Sequence, residues 1–260
     1  PDDLGGYVEV DRQEYVWDVV NSSKKMKDRV KAHPRTPKQY ISTLRACVAN
    51  SPRVTFKALS VDAAKLDKAK YMGRWRGDAS MSLRLLGPVA ERVIHRGESK
   101  MLLRRLGNEG VTKNGHSVIL KLEYGKLAIM LGGDLNTQSQ DFLLQKYTRV
   151  SGKASSREKK IAKLEALGAD ISDKDQAKLD KERATREEMV RQARGAFACD
   201  VTKACHHGSS HFSDTFLRVI NATATVISSG DAESHSHPRP DALGAFGKHG
   251  RGDRPLIFST

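Results

Sequence analysis

The chain has 260 residues, with 45 lysines and arginines against 31 aspartates and glutamates, and a formal net charge of +14. Hydrophobic residues make up 38% of it and aromatic residues 6%, which is enough for one large core or two small ones. No apolar run approaches the roughly 18 residues of a membrane-spanning helix, so the sequence predicts no membrane partner for this chain.

The first residues lack the basic and apolar regions of a signal peptide, and the absence of an initiator methionine indicates a trimmed or internal start. The three cysteines, Cys47, Cys199 and Cys205, form no CxxC pair and cannot build a disulfide framework. A reducing, cytoplasmic location is the simplest interpretation. The positive charge predicts an anionic partner, above all nucleic acid; a charged surface that only serves solubility is the alternative.

In the first third of the chain, the spacing of apolar and charged residues predicts helices over 10–32 and 37–49 and strands over 54–59 and 82–86. Between the two strands, basic residues alternate with aromatic ones, a composition that can grip and stack on nucleic acid. A solvated loop anchored by one tryptophan is the alternative. The candidate nucleic-acid residues are Lys70, Arg74, Trp75 and Arg76.

The clearest secondary-structure pattern is a β-hairpin. Apolar residues alternate over His116–Tyr124, a glycine turn follows, and Leu127–Leu131 forms the second strand. That strand runs into Gly132-Gly133-Asp134, which places a carboxylate at a strand end beside glycines that allow close approach. Asp134 is therefore a candidate metal ligand, although Gly-Asp after a strand is also common in ordinary turns. Residues 137–147 then have helical spacing.

Residues 151–196 differ in composition from the rest of the chain. With few apolar residues, and 11 basic and 9 acidic ones between Arg157 and Arg194, they predict a protruding helical hairpin stabilised by ion pairs rather than by a core. Ser156 and Ser172 are the expected helix N-caps. The sparse apolar seam is a candidate contact for a protein partner, and a solvated insertion without function is the alternative. The seam consists of Ile161, Leu164, Leu167, Ile171, Leu179 and Met189.

From residue 197 onward, strands over 200–204 and 223–228 flank a helix over 212–220. This alternation predicts an α/β architecture with a mixed sheet. The first of these strands leads into His206-His207-Gly208-Ser209.

Five of the nine histidines lie in loops at strand ends of the second half, and His235 and His237 share a face if their backbone is extended. Imidazoles with a carboxylate form the ligand set of Zn²⁺, or of Mn²⁺ when more oxygens join. Surface histidines of a basic protein and a metal-scavenging loop are the alternatives.

The order of these motifs resembles the DNA-uptake (ComEC-type) branch of the metallo-β-lactamase superfamily. The resemblance covers residues 82–150 and 197–260. It implies a four-layer αββα sandwich, with a metallo-β-lactamase-like domain formed by residues 1–150 and 197–260 and a helical insertion at 151–196. The matching motifs are Asn114-x-x-Ser117, Gly133-Asp134-Leu135, Asp200-Val-x-Lys-x-x-His206-His207-Gly208-Ser209, Val226-Ile-Ser-x-Gly230 and His237-Pro238.

By the same resemblance, Pro1–Gly6 is similar to the end of the family's first motif, His-x-His-x-Asp-His. Asp2 would then match the motif aspartate, which binds the second metal and orients the attacking water. Asp3 stands where the family has a histidine. Three explanations account for the missing histidines of this motif: a trimmed chain, a site built from another segment, or a degenerate site. We expect the preceding strands of the fold on a longer or companion polypeptide.

The resemblance also implies roles for the other motif residues. Asp134 would be shared between two metals, and His237 would bind the second metal. His206 and His207 would supply one further ligand or a transition-state contact. His116, inside the Asn-x-x-Ser segment, would replace the family's middle histidine ligand.

The function that the resemblance implies is metal-assisted hydrolysis, in which two Zn²⁺ or Mn²⁺ ions activate a bridging water. Asp2, His206 and His207 would be the catalytic residues. With the positive charge, this predicts a nuclease or phosphodiesterase acting on nucleic acid, DNA rather than RNA. One alternative is a degenerate module that binds nucleic acid or a partner subunit, and Asp3 in place of a histidine favours it. A second alternative is a hydrolase of small esters or lactams, which the positive net charge disfavours.

Overall fold

A computed structural model describes residues 6–17, 22–32, 39–51, 53–56, 58–66, 70–71, 80–230 and 235–260, with the backbone alone described at 39–41 and 70–71. These residues form a mixed α/β fold with two mixed β-sheets, which confirms the predicted α/β class. The four-layer arrangement stays a prediction. None of the helices in this part of the chain is long and apolar enough to cross a membrane.

The smaller sheet has the strand order β1-β2-β7-β6-β3. Asp11 and Arg12, both with positive φ, form the two-residue turn of its first hairpin. The helix expected over 10–32 is therefore wrong in its first half, because Tyr15 and Val16 are buried strand residues. Among the described residues of this range, the segment Ser23–Ala32 is the helical one (α1). The strands are β1 (Tyr7–Val10), β2 (Gln13–Val16), β3 (Val61–Asp62), β6 (Val89–His95) and β7 (Glu98–Arg104).

The larger sheet has the order β12-β11-β10-β9-β8-β5-β4, and its strands β9 to β12 run parallel. The predicted β8–β9 hairpin is confirmed, although β8 starts at Ile119. The strand expected over 54–59 is wrong, since no strand forms in the described residues of that stretch; the Phe56 amide donates to Ser23 Oγ instead. The strands are β4 (Lys70–Tyr71), β5 (Met81–Gly87), β8 (Ile119–Tyr124), β9 (Leu127–Leu131), β10 (Val201–Lys203), β11 (Ala224–Ile227) and β12 (Leu256–Ser259).

Seven further α-helices lie in the described part of the chain. Ser172 caps the long helix of the charged segment as predicted, but Ser156 caps nothing, because the preceding helix already starts at Ala154. The helices are α2 (Gln39–Asn50), α3 (Glu109–Gly115), α4 (Thr137–Tyr147), α5 (Ala154–Glu165), α6 (Asp173–Phe197), α7 (Asp214–Ile220) and α8 (Pro240–His249).

The helical hairpin of α5 and α6 is anchored in the main core. Phe197, at the end of α6, is fully buried, with its ring 4.7 Å from that of Tyr147 and 5.3 Å from that of Phe216. The expectation that ion pairs replace a core is therefore wrong for the second half of α6. Three residues of the predicted seam are buried inside this chain and are not available to a partner: Ile161, Leu179 and Met189.

Candidate functional site

Three of the predicted site residues, Asp134, His206 and His207, follow neighbouring strands of the larger sheet. Strands β9, β10 and β11 are neighbours and parallel, so their carboxyl ends share one edge of the sheet. Asp134 follows β9, His206 and His207 follow β10, and Ser228 follows β11. Ligands of open α/β sheets bind at the carboxyl ends of the strands, so this edge is the place to look for chemistry. We call these four residues the edge cluster.

The backbone of Asp134 is held by the Asn-x-x-Ser segment. Gly133 has a φ of +58°, and a Cβ there would lie 2.5 Å from Ser117 Cβ, so only glycine fits. The Asp134 amide donates to Ser117 Oγ at 2.9 Å, and that hydroxyl donates to the Asn114 carbonyl at 2.8 Å. The motif therefore positions the carboxylate at the end of β9.

Both histidines after β10 have a left-handed backbone. The φ values of His206 and His207 are +50° and +55°, and the His206 amide donates to the Gly133 carbonyl at 3.1 Å. For residues other than glycine, this conformation costs about 1–3 kcal/mol each and concentrates at functional sites. The turn directs the two imidazoles to different neighbours.

His207 contacts the carboxylate directly. Its Nδ1 lies 2.5 Å from the Ser228 carbonyl, which only accepts, so Nδ1 carries the proton. Nε2 then lies 3.3 Å from Asp134 Oδ1. In a neutral imidazole this nitrogen has a lone pair, which repels the carboxylate unless a cation lies between them or a second proton is taken up. A histidine whose Nδ1–H is held by a backbone carbonyl, with Nε2 free, is prepared for metal binding.

Lys203 adds a positive charge to the cluster. Its ammonium donates to the Gly133 carbonyl at 3.0 Å and lies 3.6 Å from Asp134 Oδ1. The sequence reasoning assigned no role to this lysine or to the Ser228 carbonyl. The alternation of side chains along β10 could have identified Lys203, because it places Lys203 on the same side of the sheet as Val201 and opposite the buried Thr202.

His206 and His237 lie beside the pair. Their ring centroids are 5.8 Å apart, and His206 Nε2 lies 3.5 Å from Asn114 Nδ2. Burial lowers the pKa of His206 below its usual range; nearby Asp134 opposes that shift and the neighbouring histidines add to it. His237 stacks on His235 at 5.8 Å. The backbone between them is not extended as expected, because Ser236 has a φ of +52°, so a turn brings the two rings together.

The structure does not bring His116 into this cluster, and its assignment as a ligand is wrong. His116 follows α3, its Nε2 donates to the Arg104 carbonyl at 2.7 Å, and its ring lies edge-on to Phe142. Burial lowers the pKa of His116, while the hydrogen bond to Arg104 opposes the shift. Its side chain therefore serves the packing between β7 and α4.

Several predicted residues lie outside the described residues: Asp2, Arg74, Trp75 and Arg76, as does the side chain of Lys70. Within the part of the chain that is described, no three histidine, cysteine, aspartate or glutamate side chains group closely enough to hold a metal ion. Asp134 and His207 supply two donors. Cys205, expected to be packed rather than reactive, is half-buried and packs against the main core, and burial raises its pKa to about 12.

Comparison with known proteins identifies no relative: no family model, no curated protein and no solved structure matches this chain.

Proposed function

We propose that this chain is part of a metal-dependent hydrolase with a metallo-β-lactamase-like fold. The hydrolase cleaves phosphodiester bonds of nucleic acid, with DNA rather than RNA as the substrate. The observation that carries the proposal is the contact of His207 Nε2 with Asp134 while Nδ1 is occupied by a carbonyl. A carboxylate oxygen and a free imidazole nitrogen are donors that suit Zn²⁺ or Mn²⁺. The net charge of +14 supports an anionic substrate.

The donor chemistry fits a metal, and each residue of the edge has a role in the proposal. Asp134 and His207 would hold the ion, with Asp2 and His237 as further donors. When bound, the metal supplies charge neutralisation and an activated water. Lys203 provides a cation for a phosphodiester oxygen. Burial lowers the pKa of His206, which favours the neutral imidazole, and the neutral ring has a nitrogen that can accept a proton.

Metal content and phosphodiesterase activity test the proposal together. We expect purified protein to retain Zn²⁺ or Mn²⁺ by elemental analysis, and Asp134→Asn and His207→Gln each to lose it. Changes in outer-shell groups already weaken metal affinity by about 10–100-fold, so loss of a ligand should cost at least as much. Cleavage of single-stranded DNA, duplex DNA and RNA, with and without a chelator, identifies the substrate.

Asp253→Asn is the matched control, since Asp253 is an exposed carboxylate in the loop before β12. It should keep both metal and activity. Metal bound equally by all variants, or absent from the wild type after reconstitution, would contradict the proposal.

The second candidate is a degenerate module that binds nucleic acid or a partner subunit without cleaving. It is favoured by the finding that, at the edge cluster, Asp134 and His207 are in direct contact but no group of three metal donors forms among the described residues. This alternative predicts DNA binding that depends on salt and that Asp134→Asn leaves unchanged, with no bound metal and no cleavage.

A further inference from the structure

Helix α1 concentrates the positive charge of the chain. Among its ten residues, five are basic and one is acidic, which gives a net charge of +4. The much longer helix α6 has seven basic and six acidic residues, a net charge of +1. Helix α1 therefore differs from the balanced charged surface of α6. Its basic residues are Lys24, Lys25, Lys27, Arg29 and Lys31.

These basic residues surround the side of α1 that faces away from the rest of the chain. Val30 is buried and Met26, one turn earlier, is half-buried, so the two mark the inner side of a helix that packs against α2. With 3.6 residues per turn, the five basic residues all fall on the remaining arc of the helix. Two of them are half-buried at the margins of this arc, and the exposed ones are Lys24, Lys25 and Lys31.

The charges of α1 work against the helix itself. Its first turn holds two lysines and no acidic residue, at the end where the helix dipole favours negative charge. Like charges four positions apart also destabilise a helix. Helix α1 contains two such pairs, Lys25 with Arg29 and Lys27 with Lys31. Asp28 offsets part of the charge through its ion pair with Lys24 at 3.0 Å, and a polyanion lying along this side would relieve the repulsion within the two pairs.

Both ends of α1 are fixed to neighbouring segments. At the start, Ser23 Oγ accepts from the Phe56 amide at 2.7 Å and donates to the Phe56 carbonyl at 3.1 Å. At the end, the Arg45 guanidinium of α2 donates to the Val30 carbonyl at 3.1 Å. The lysines are therefore presented on a fixed helix, and a rigid element loses little conformational entropy when it binds.

Two classes of polyanion fit a basic helix: an acidic membrane surface and nucleic acid. A helix that lies on a membrane buries its apolar side among the lipids. The apolar side of α1 is already used within the chain, since Val30 exposes only 3% of its surface. Phosphate contacts on nucleic acid need charge alone. The observations therefore favour nucleic acid.

The dimensions and composition of α1 suit a duplex. From Lys24 to Lys31 the helix rises about 10 Å, which matches the length of about three nucleotides of one duplex strand. Single-stranded nucleic acid is bound mainly by stacking of its bases on aromatic side chains, and α1 contains no aromatic residue.

We propose that α1 is a docking surface for the phosphate backbone of duplex DNA, with Lys24, Lys25 and Lys31 as its contacts. Contacts of this kind fix the position of a protein on the duplex without reading its sequence. The proposal rests on the proposed function for the class of its ligand, but binding at α1 requires neither a metal nor cleavage.

Duplex binding in the presence of a chelator tests the proposal, because the chelator removes metal-dependent cleavage. Fluorescence anisotropy of a labelled duplex gives the association constant at salt concentrations between about 50 and 200 mM. For Lys24→Gln, Lys25→Gln and Lys31→Gln combined, the slope of log association constant against log salt should be smaller by about 2–3, since each phosphate contact contributes about 0.9. Affinity at low salt should fall about tenfold or more. Circular dichroism should be unchanged, because glutamine has nearly the helix propensity of lysine.

Lys174→Gln, Lys178→Gln and Lys181→Gln combined are the matched control. These three lysines are exposed on α6, and their loss changes the net charge by the same amount. The salt slope and the affinity of this variant should stay close to those of the wild type.

Equal losses in both triple variants would show that only the overall charge attracts DNA, and would overturn the proposal. So would a wild type that does not bind the duplex. An α1 variant that loses binding to phosphatidylserine vesicles or to polyglutamate, while its affinity for DNA is unchanged, would also overturn it. DNA binding that depends on α1 in a protein without metal or cleavage would support this proposal and contradict the hydrolase alone.

Discussion

Gly133 is expected to be the glycine at which an added methyl group costs most near the edge cluster. In Gly133→Ala the residue keeps a φ of +58°, which costs an L-residue about 1–2 kcal/mol. The new Cβ would also lie 2.5 Å from Ser117 Cβ and 2.7 Å from its Oγ. Relieving this overlap needs a backbone shift of the kind that costs about 1–3 kcal/mol. The free energy of unfolding should therefore fall by about 2–5 kcal/mol.

Gly125→Ala separates the two contributions. Gly125 has nearly the same φ, +57°, but nothing lies within 4 Å of the added methyl group. Its cost should be the backbone contribution alone, about 1–2 kcal/mol. Urea denaturation of both variants measures the difference. Equal losses would refute the conclusion that Ser117 packs against Gly133 to position Asp134.

Three further predictions concern the core, an ion pair and the thiols. Phe197→Ala should destabilise the protein by about 3–5 kcal/mol in denaturant unfolding, against less than about 1 kcal/mol for Leu167→Ala, because only the former side chain is buried. Burial raises the pKa of Glu91, but hydrogen bonds from an arginine and a lysine outweigh it and lower the pKa overall. The Glu91 carboxylate therefore stabilises the folded protein at pH values above its unfolded pKa, and this stabilisation is lost as the pH falls through its folded pKa. Glu91→Gln should accordingly lower the free energy of unfolding less at pH 3 than at pH 7. Burial raises the pKa of Cys199 to about 11 and of Cys205 to about 12, so both should resist iodoacetamide at pH 8 until the protein unfolds, as mass spectrometry would show.

The secondary structure could be predicted where its signals are local. Strict alternation and a glycine turn identified the β8–β9 hairpin, and the hydroxyl of Ser172 identified the start of α6. The β1–β2 hairpin was missed because its turn, Asp11-Arg12, has no glycine or asparagine. Without that turn signal, Tyr15 and Val16 fit a helix as well as a strand, and only pairing with β7 decides between them.

The sequence predicted Asp134, His206 and His207 of the edge cluster, but it did not predict their contacts or the parts of Lys203 and the Ser228 carbonyl. Parallel strands β9 and β10 bring Asp134 and His207 to one edge, a consequence of topology that strand-end positions indicate. His116 was misassigned because adjacent residues project in different directions. Its neighbour Ser117 reaches the Asp134 amide, while His116 itself contacts the Arg104 carbonyl on the other side.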